Sequence, residues 1–258
     1  MAVHLRDDKF IISCAARTGS TMLQLMLDSH PDIVCHGETI DRGKVGLLVG
    51  RYTRIRYRQP ESDPVLLERM TKRPESFLYD VLFDSQGHQA VGFKFKTDEA
   101  LSGQAPWRDY HELIVRDADI KVIRLKRRNL LEQLISHEAV RKTGVTLLRG
   151  DATAPAIDAI TIEPERAVSY IRDVLDRERR ADEAYAEHRQ LHVTYEGLVE
   201  DGEASQAEIL RFIGVDVRPL TVSTKKILNG SPSLVSNLDE VTTALQDSGL
   251  ADFATPSP

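Results

Sequence analysis

The sequence predicts an α/β fold with a central, mostly parallel five-stranded sheet and helices on both of its faces. Three observations lead there: five short apolar runs, helical patterns alternating with them, and an ordinary globular composition. With 258 residues, 41% hydrophobic and 29% charged, the chain is long enough to bury a large core. The apolar runs occupy residues 10–15, 33–36, 90–95, 120–125 and 191–195. Strands that alternate with helices pair in parallel, because each helical crossover returns the chain to the same end of the sheet.

The elements follow in order. After the first strand, residues 21–29 carry Met22, Leu23, Met26 and Leu27 at helical spacing, which predicts an amphipathic helix. A second follows the fourth strand at 129–142, with Leu130, Leu131, Leu134, Ile135 and Ala139. A longer helix begins near Pro164, a residue suited to a first helical position, and runs to about Glu187 with Ala167, Val168, Ile171, Val174, Leu175 and Tyr185 on one face. Another spans 204–213 and stops at Gly214, and the last follows Asn237 with Val241, Leu245 and a terminating Gly249. The sequence has no internal repeat. It reads as one domain over 1–258, with 37–89 and 144–162 as irregular insertions and 254–258 as a disordered tail.

A net charge of -6 argues against a protein that holds nucleic acid through its overall field, so no nucleic-acid partner is expected. Cys14 and Cys35 sit in strand-like segments and read as small buried hydrophobes; no zinc-type spacing exists. The start of the chain lacks a secretory signal pattern, and no apolar stretch approaches the roughly 20 residues that cross a bilayer. A reducing cytoplasm is the expected compartment, with transient contact to a lipid surface left open.

The chemistry concentrates at the end of the first strand, in Ala15-Ala16-Arg17-Thr18-Gly19-Ser20-Thr21. A strand, a tight turn and a helix start make an anion site, because the first helical N–H groups lack internal partners and the helix dipole adds positive potential. Gly19 allows close backbone approach, Ser20 and Thr21 add hydroxyl donors, and Arg17 adds a fixed charge. A helix cap in any α/β protein is the alternative reading of these residues alone. The spacing is not that of a Walker A loop, whose lysine directly precedes the hydroxyl residue; here the cation precedes the glycine.

This segment resembles the phosphosulfate loop of the sulfotransferases that use 3′-phosphoadenosine 5′-phosphosulfate (PAPS), of the form Lys/Arg-x-Gly-Ser/Thr-Ser/Thr after the first strand. The resemblance implies a three-layer fold similar to that of P-loop kinases and nucleoside triphosphatases, with Arg17, Thr18, Gly19, Ser20 and Thr21 at the cofactor. A second match follows the fourth strand, at Arg128-Asn129, with Ser136 eight residues after the arginine. In the family this pair grips the 3′-phosphate, a role suited to a planar guanidinium fork and a neutral hydroxyl. Leu130 stands where the family has proline, and a solvated basic turn of Lys126, Arg127 and Arg128 is the alternative. Tyr195-Glu196-Gly197-Leu198 and Phe212-Ile213-Gly214 are similar to structural segments of the family, and Thr224, Lys225 and Lys226 fall where members have a loop that closes over the cofactor.

The resemblance implies in-line transfer of a sulfuryl group to an acceptor hydroxyl, with no metal. Glu38, just past the second strand, is the first candidate for the base, and His36 is the second. Lys94 and Lys96, alternate residues at the end of the third strand, share a face; Lys94 is a candidate for neutralising the group in transfer. The acceptor is expected to be a carbohydrate or glycolipid hydroxyl. The stretch 51–58, where Arg51, Arg54, Arg56 and Arg58 are interleaved with Tyr52 and Tyr57, is either a site for an anionic acceptor or a solvated basic helix. Two rival readings remain: a kinase-like phosphotransferase, and a catalytically silent nucleotide-binding regulatory protein.

Overall fold

A computed structural model describes residues 8–41, 44–45, 64–145, 148–149, 157–221, 224–225 and 231–253. The expectations placed on 51–58, on Lys226 and on the 254–258 tail lie outside these residues. In chain order the elements are β1 (Asp8–Cys14), α1 (Ser20–Asp28), β2 (Ile33–Glu38), the two-residue strands β3 (Ile40–Asp41) and β4 (Lys44–Val45), α2 (Pro64–Lys72), α3 (Pro74–Phe77) and a π-helical turn at Leu78–Leu82. Then come β5 (Ala90–Lys96), α4 (Thr97–Ala100), α5 (Trp107–Arg116), β6 (Lys121–Lys126), α6 (Leu130–Thr143), β7 (Leu148–Arg149) and α7 (Pro164–Ala184). The chain continues through β8 (Gln190–Thr194), α8 (Tyr195–Glu200), α9 (Gly202–Ile213), β9 (Thr224–Lys225) and α10 (Leu238–Asp247).

The five apolar runs become β1, β2, β5, β6 and β8. They form one sheet in the order β2-β5-β1-β6-β8, parallel at every pairing. Strands formed before β6 lie on one side of β1 and later ones on the other, so the crossovers diverge at β1. In open parallel sheets that divergence opens a crevice outside the carboxyl ends of the strands.

Alternation along the strands divides the core into layers. Ile11, Val34, Val91 and Phe95 face Phe77, Leu82, Tyr110 and Tyr185. Phe10, Ile12, Cys14, Cys35 and Leu125 face Leu23 and Leu27 of α1 and Ile209 and Ile213 of α9. A further cluster joins α6, α7 and α10 through Leu134, Ile171, Val241 and Leu245. Both cysteines are buried and free, and burial pushes the Cys14 thiol up to about 11, the behaviour of an inert core residue.

Several boundaries differ from the sequence reading. The stretch 37–89 is not merely irregular, since it contains β3, β4, α2, α3 and the π-helical turn. Helix α5 was not anticipated; it is held by Tyr110 and Ile114, four residues apart and buried. The fifth strand ends at Thr194, because the Thr194 hydroxyl accepts a hydrogen bond from the Gly197 N–H and caps α8, making Tyr195 helical. Helix α7 stops at Ala184 rather than Glu187. Helix α9 ends at Gly214 as expected, in a left-handed conformation with φ 101° that favours glycine.

Candidate active site

Strand β1 delivers the chain to the crevice and α1 carries it away. Gly19 caps α1 at φ 78°, with no side-chain cap, and the first amides of the helix have no place in its hydrogen-bond ladder. Three successive carbonyls before them are held. The Thr18 hydroxyl donates to the Ala15 carbonyl at 2.8 Å, Gln133 Nε2 donates to that of Ala16 at 2.6 Å, and Arg127 Nη1 donates to that of Arg17 at 3.3 Å. Arg17 itself has φ 65°, a left-handed conformation that costs a non-glycine residue on the order of 1–3 kcal/mol and persists only where its surroundings enforce it.

Two further contacts shape this loop. Thr18 is fully buried and its hydroxyl is engaged with the loop's own backbone, which shapes the turn. A Cβ at Gly19 would lie 2.5 Å from the Tyr195 ring, so that side of the glycine is packed against protein.

From the loop a chain of polar contacts crosses the strand ends. Lys94 Nζ, 6% exposed, donates to Thr21 Oγ1 at 3.1 Å and pairs with Glu38 Oε1 at 2.7 Å. Lys96 pairs with the other Glu38 oxygen at 3.2 Å and with Glu99, so the two lysines do share a face. Burial alone would raise the Glu38 carboxyl, but Lys94 and then Lys96 outweigh it and hold the group below its usual range. Glu38 is therefore ionised at neutral pH, and its side chain stays 46% exposed. His36, the second candidate, is 2% exposed within β2, a poor place from which to reach an acceptor. Asp98, at the start of α4, was missed by sequence reasoning; its Oδ1 is buried with no hydrogen-bond partner among the described residues, and its charge acts on Cys14 at the end of β1.

The β6–α6 turn lies against the same loop. Arg17 Nε donates to Ser136 Oγ at 3.1 Å, which joins the two motifs of the sequence directly. Arg128 makes its ion pairs with α8. The Arg128 guanidinium, 57% exposed, pairs with Glu200 at 2.9 Å and more distantly with Glu196. The buried Glu196 carboxylate accepts the backbone N–H groups of Arg128 and Asn129, so the amides of this turn are already engaged. Nor is it a solvated basic turn: Lys126 pairs with Asp182 and Arg127 with Glu132. Arg127 is buried and lies 4.8 Å over the Tyr195 ring. Burial, and then the neighbouring Arg127 charge, lower the Arg17 guanidinium from its ordinary value.

Thr224 and Lys225 form β9, paired antiparallel with β7. Arg127, Gln133 and Tyr195 are the loop contacts that motif matching passed over. A glutamine amid Leu130, Leu131 and Leu134 was the available signal, since a polar side chain on a buried helix face needs a partner. Among the described residues no group of three His, Cys, Asp or Glu side chains is placed to hold a metal ion, and no helix is long and apolar enough to cross a membrane.

No family model matches the chain, and no curated protein matches its sequence. Solved structures do match. One is a sulfotransferase from Alicyclobacillus acidocaldarius, 18% identical, with a TM-score of 0.52 over 95% of this chain and 93% of that one. Another is mouse sulfotransferase SULT7A1 complexed with PAP, 12% identical, with a TM-score of 0.42 over 98% of this chain and 67% of that one. The first likeness shows a shared fold: a parallel five-stranded sheet flanked by helices.

Proposed function

We propose that this protein is a sulfotransferase that moves a sulfuryl group from PAPS to a hydroxyl of an acceptor, with a carbohydrate or glycolipid as the acceptor class. The observation that carries this reading is the chain of contacts from an anion-binding loop to an ionised carboxylate through one buried lysine, Thr21 to Lys94 to Glu38. The donor set fits a phosphosulfate: a guanidinium, two hydroxyl residues and the free amides of a helix start, with no Walker lysine.

In this reading Arg17, Ser20, Thr21 and the first amides of α1 hold the 5′-phosphosulfate, while Ser136 and Arg128 serve the 3′-phosphate. Arg128 would exchange its exposed pairing with Glu200 for the phosphate, an easy exchange because surface ion pairs contribute at most about 1 kcal/mol. Thr224, Lys225 and Lys226 are assigned to the cover over the nucleotide. PAPS supplies an activated sulfuryl group whose bridging S–O bond breaks as the acceptor oxygen bonds to sulfur, and the electron pair leaves with 3′-phosphoadenosine 5′-phosphate. Glu38 takes the acceptor proton, Lys94 offsets charge on the group in transfer, and Arg17 with the loop amides meets the charge that grows on the 5′-phosphate. Asp98 is a second reading for the base, favoured by its buried, unpartnered oxygen. The protein is read as a single domain that needs no metal.

Nucleotide binding tests the donor. 3′-Phosphoadenosine 5′-phosphate should raise the melting temperature in EDTA, and ATP should do so far less, because one of two anion sites has no counterpart in ATP. Equal stabilisation by ATP, or a strict need for Mg²⁺, would favour the kinase-like reading.

A further inference from the structure

The anion loop rests on a back wall of side chains. Three successive carbonyls, those of Ala15, Ala16 and Arg17, each accept a hydrogen bond from a side chain. Thr18 supplies the first from within the loop; Gln133 and Arg127 supply the others from the β6–α6 segment. A peptide group is planar, with its C=O and N–H on opposite sides, so holding the carbonyl fixes where the amide on the same bond points. We infer that Arg127 and Gln133 are positioning residues that keep the loop carbonyls turned back and its amides directed at the ligand.

The surroundings of both side chains support this. Gln133 is fully buried beside Leu134 on α6; its Nε2 is 2.6 Å from the Ala16 carbonyl, while its Oε1 has no hydrogen-bond partner among the described residues, so the Ala16 contact is what holds this amide. Ser136, one turn further along the same helix, meets the Arg17 side chain. Helix α6 thus fixes the loop at two consecutive residues, one by backbone and one by side chain. Arg127 is held on three sides: Nη2 on Glu132 at 2.6 Å, Nη1 on the Arg17 carbonyl, and the guanidinium over the Tyr195 ring. Tyr195 in turn presses on Gly19. Glu132 neutralises the Arg127 charge, so this arginine serves as a brace and not as a second cation for the ligand. The brace acts where the loop needs it most, on the carbonyl of the residue held at φ 65°.

This inference rests on the loop being the 5′-phosphate site of the proposed function, and it makes a distinctive prediction. A direct contact to one phosphate changes affinity only for nucleotides carrying that phosphate. A residue that shapes the 5′-phosphate loop weakens every nucleotide carrying that phosphate by one factor, and because Gln133 is fully buried on the Ala16 carbonyl, such a loss in Gln133→Met reports the loop and not a lost phosphate contact. The test is calorimetric titration of Gln133→Met, Arg127→Met and Arg127→Lys with 3′-phosphoadenosine 5′-phosphate and with adenosine 5′-phosphate, far below the melting temperature. Each methionine variant should weaken both nucleotides about tenfold, with their affinity ratio unchanged. Arg127→Lys, which keeps a donor for the Arg17 carbonyl, should recover part of the loss. Should Arg127→Met fail to fold, Gln133→Met and Arg127→Lys carry the test. Folded variants that bind both nucleotides as wild type does overturn the inference, as does loss of the 3′-phosphorylated nucleotide alone, which would make Arg127 a ligand contact. A wild type that binds neither nucleotide instead overturns the functional reading, and the inference with it.

Discussion

Glu38 combines two properties that pull against each other in a base. Its ion pairs with Lys94 and Lys96 keep it deprotonated, and the same pairs make it a weaker proton acceptor. Under the proposed mechanism Glu38→Gln should lower turnover about a hundredfold or more with nucleotide affinity nearly intact, since the amide matches the carboxylate in size. Asp98→Asn and His36→Asn in the same assay assign the role: if Glu38→Gln is harmless and Asp98→Asn abolishes transfer, Asp98 is the base. The pH profile gives a second check. Glu38 is held below its ordinary value of 4.5, so the acid limb of turnover should lie below that value. In Lys94→Met the largest opposing charge is gone while the effect of burial remains, so Glu38 rises and the limb should move to higher pH. Turnover of both proteins across about pH 4–8 decides this. An unmoved limb would mean that Glu38 is not the titrating group.

At the level of elements, the β1–α1 loop and the β6–α6 turn work as a unit, joined by Arg17 to Ser136 and braced by Arg127 and Gln133. Gly19→Ala should damage that unit twice over, through the left-handed backbone and through collision with Tyr195. A clear drop in melting temperature with weaker nucleotide binding is the expected result; a variant with wild-type values would mean that Tyr195 moves aside at no cost. Arg128→Ala should weaken 3′-phosphoadenosine 5′-phosphate about tenfold or more through a lost charge-assisted contact, worth about 1.5–3 kcal/mol, and leave adenosine 5′-phosphosulfate nearly unchanged. Ser136→Ala should cost less, as a neutral donor does. If Arg128→Ala binds both nucleotides like wild type, its pairing with Glu200 is its whole role. The loop was legible in the sequence because its glycine, hydroxyls and arginine form a compact run. The brace was not, because Arg127 and Gln133 come from the β6–α6 segment and Tyr195 from the start of α8, and their roles depend on which carbonyl or ring each one meets.

For the molecule as a whole, the order of strands and helices was readable because each core strand is a short apolar run, and alternation within β1 assigns Ile11 to one layer and Phe10 and Ile12 to the other. Helix α5 escaped because its outer face carries Arg108, Asp109, Glu112 and Arg116, which masks a buried stripe of few residues. The strand ends gave Glu38 and Lys94 their place in the crevice, but nothing in the spacing told that Lys94 would join Glu38 to Thr21. Asp98 was likewise invisible, since a buried carboxylate oxygen without a partner is a fact of packing and not of sequence. The most direct measurement is transfer of labelled sulfate from PAPS into a panel of glycans, glycolipids and phenols, with and without EDTA. Label appearing in a hydroxyl-bearing acceptor, undiminished by EDTA and lost in Glu38→Gln or Asp98→Asn, is the expected result. No transfer to any acceptor by a protein that binds 3′-phosphoadenosine 5′-phosphate would contradict it and favour a silent nucleotide-binding protein.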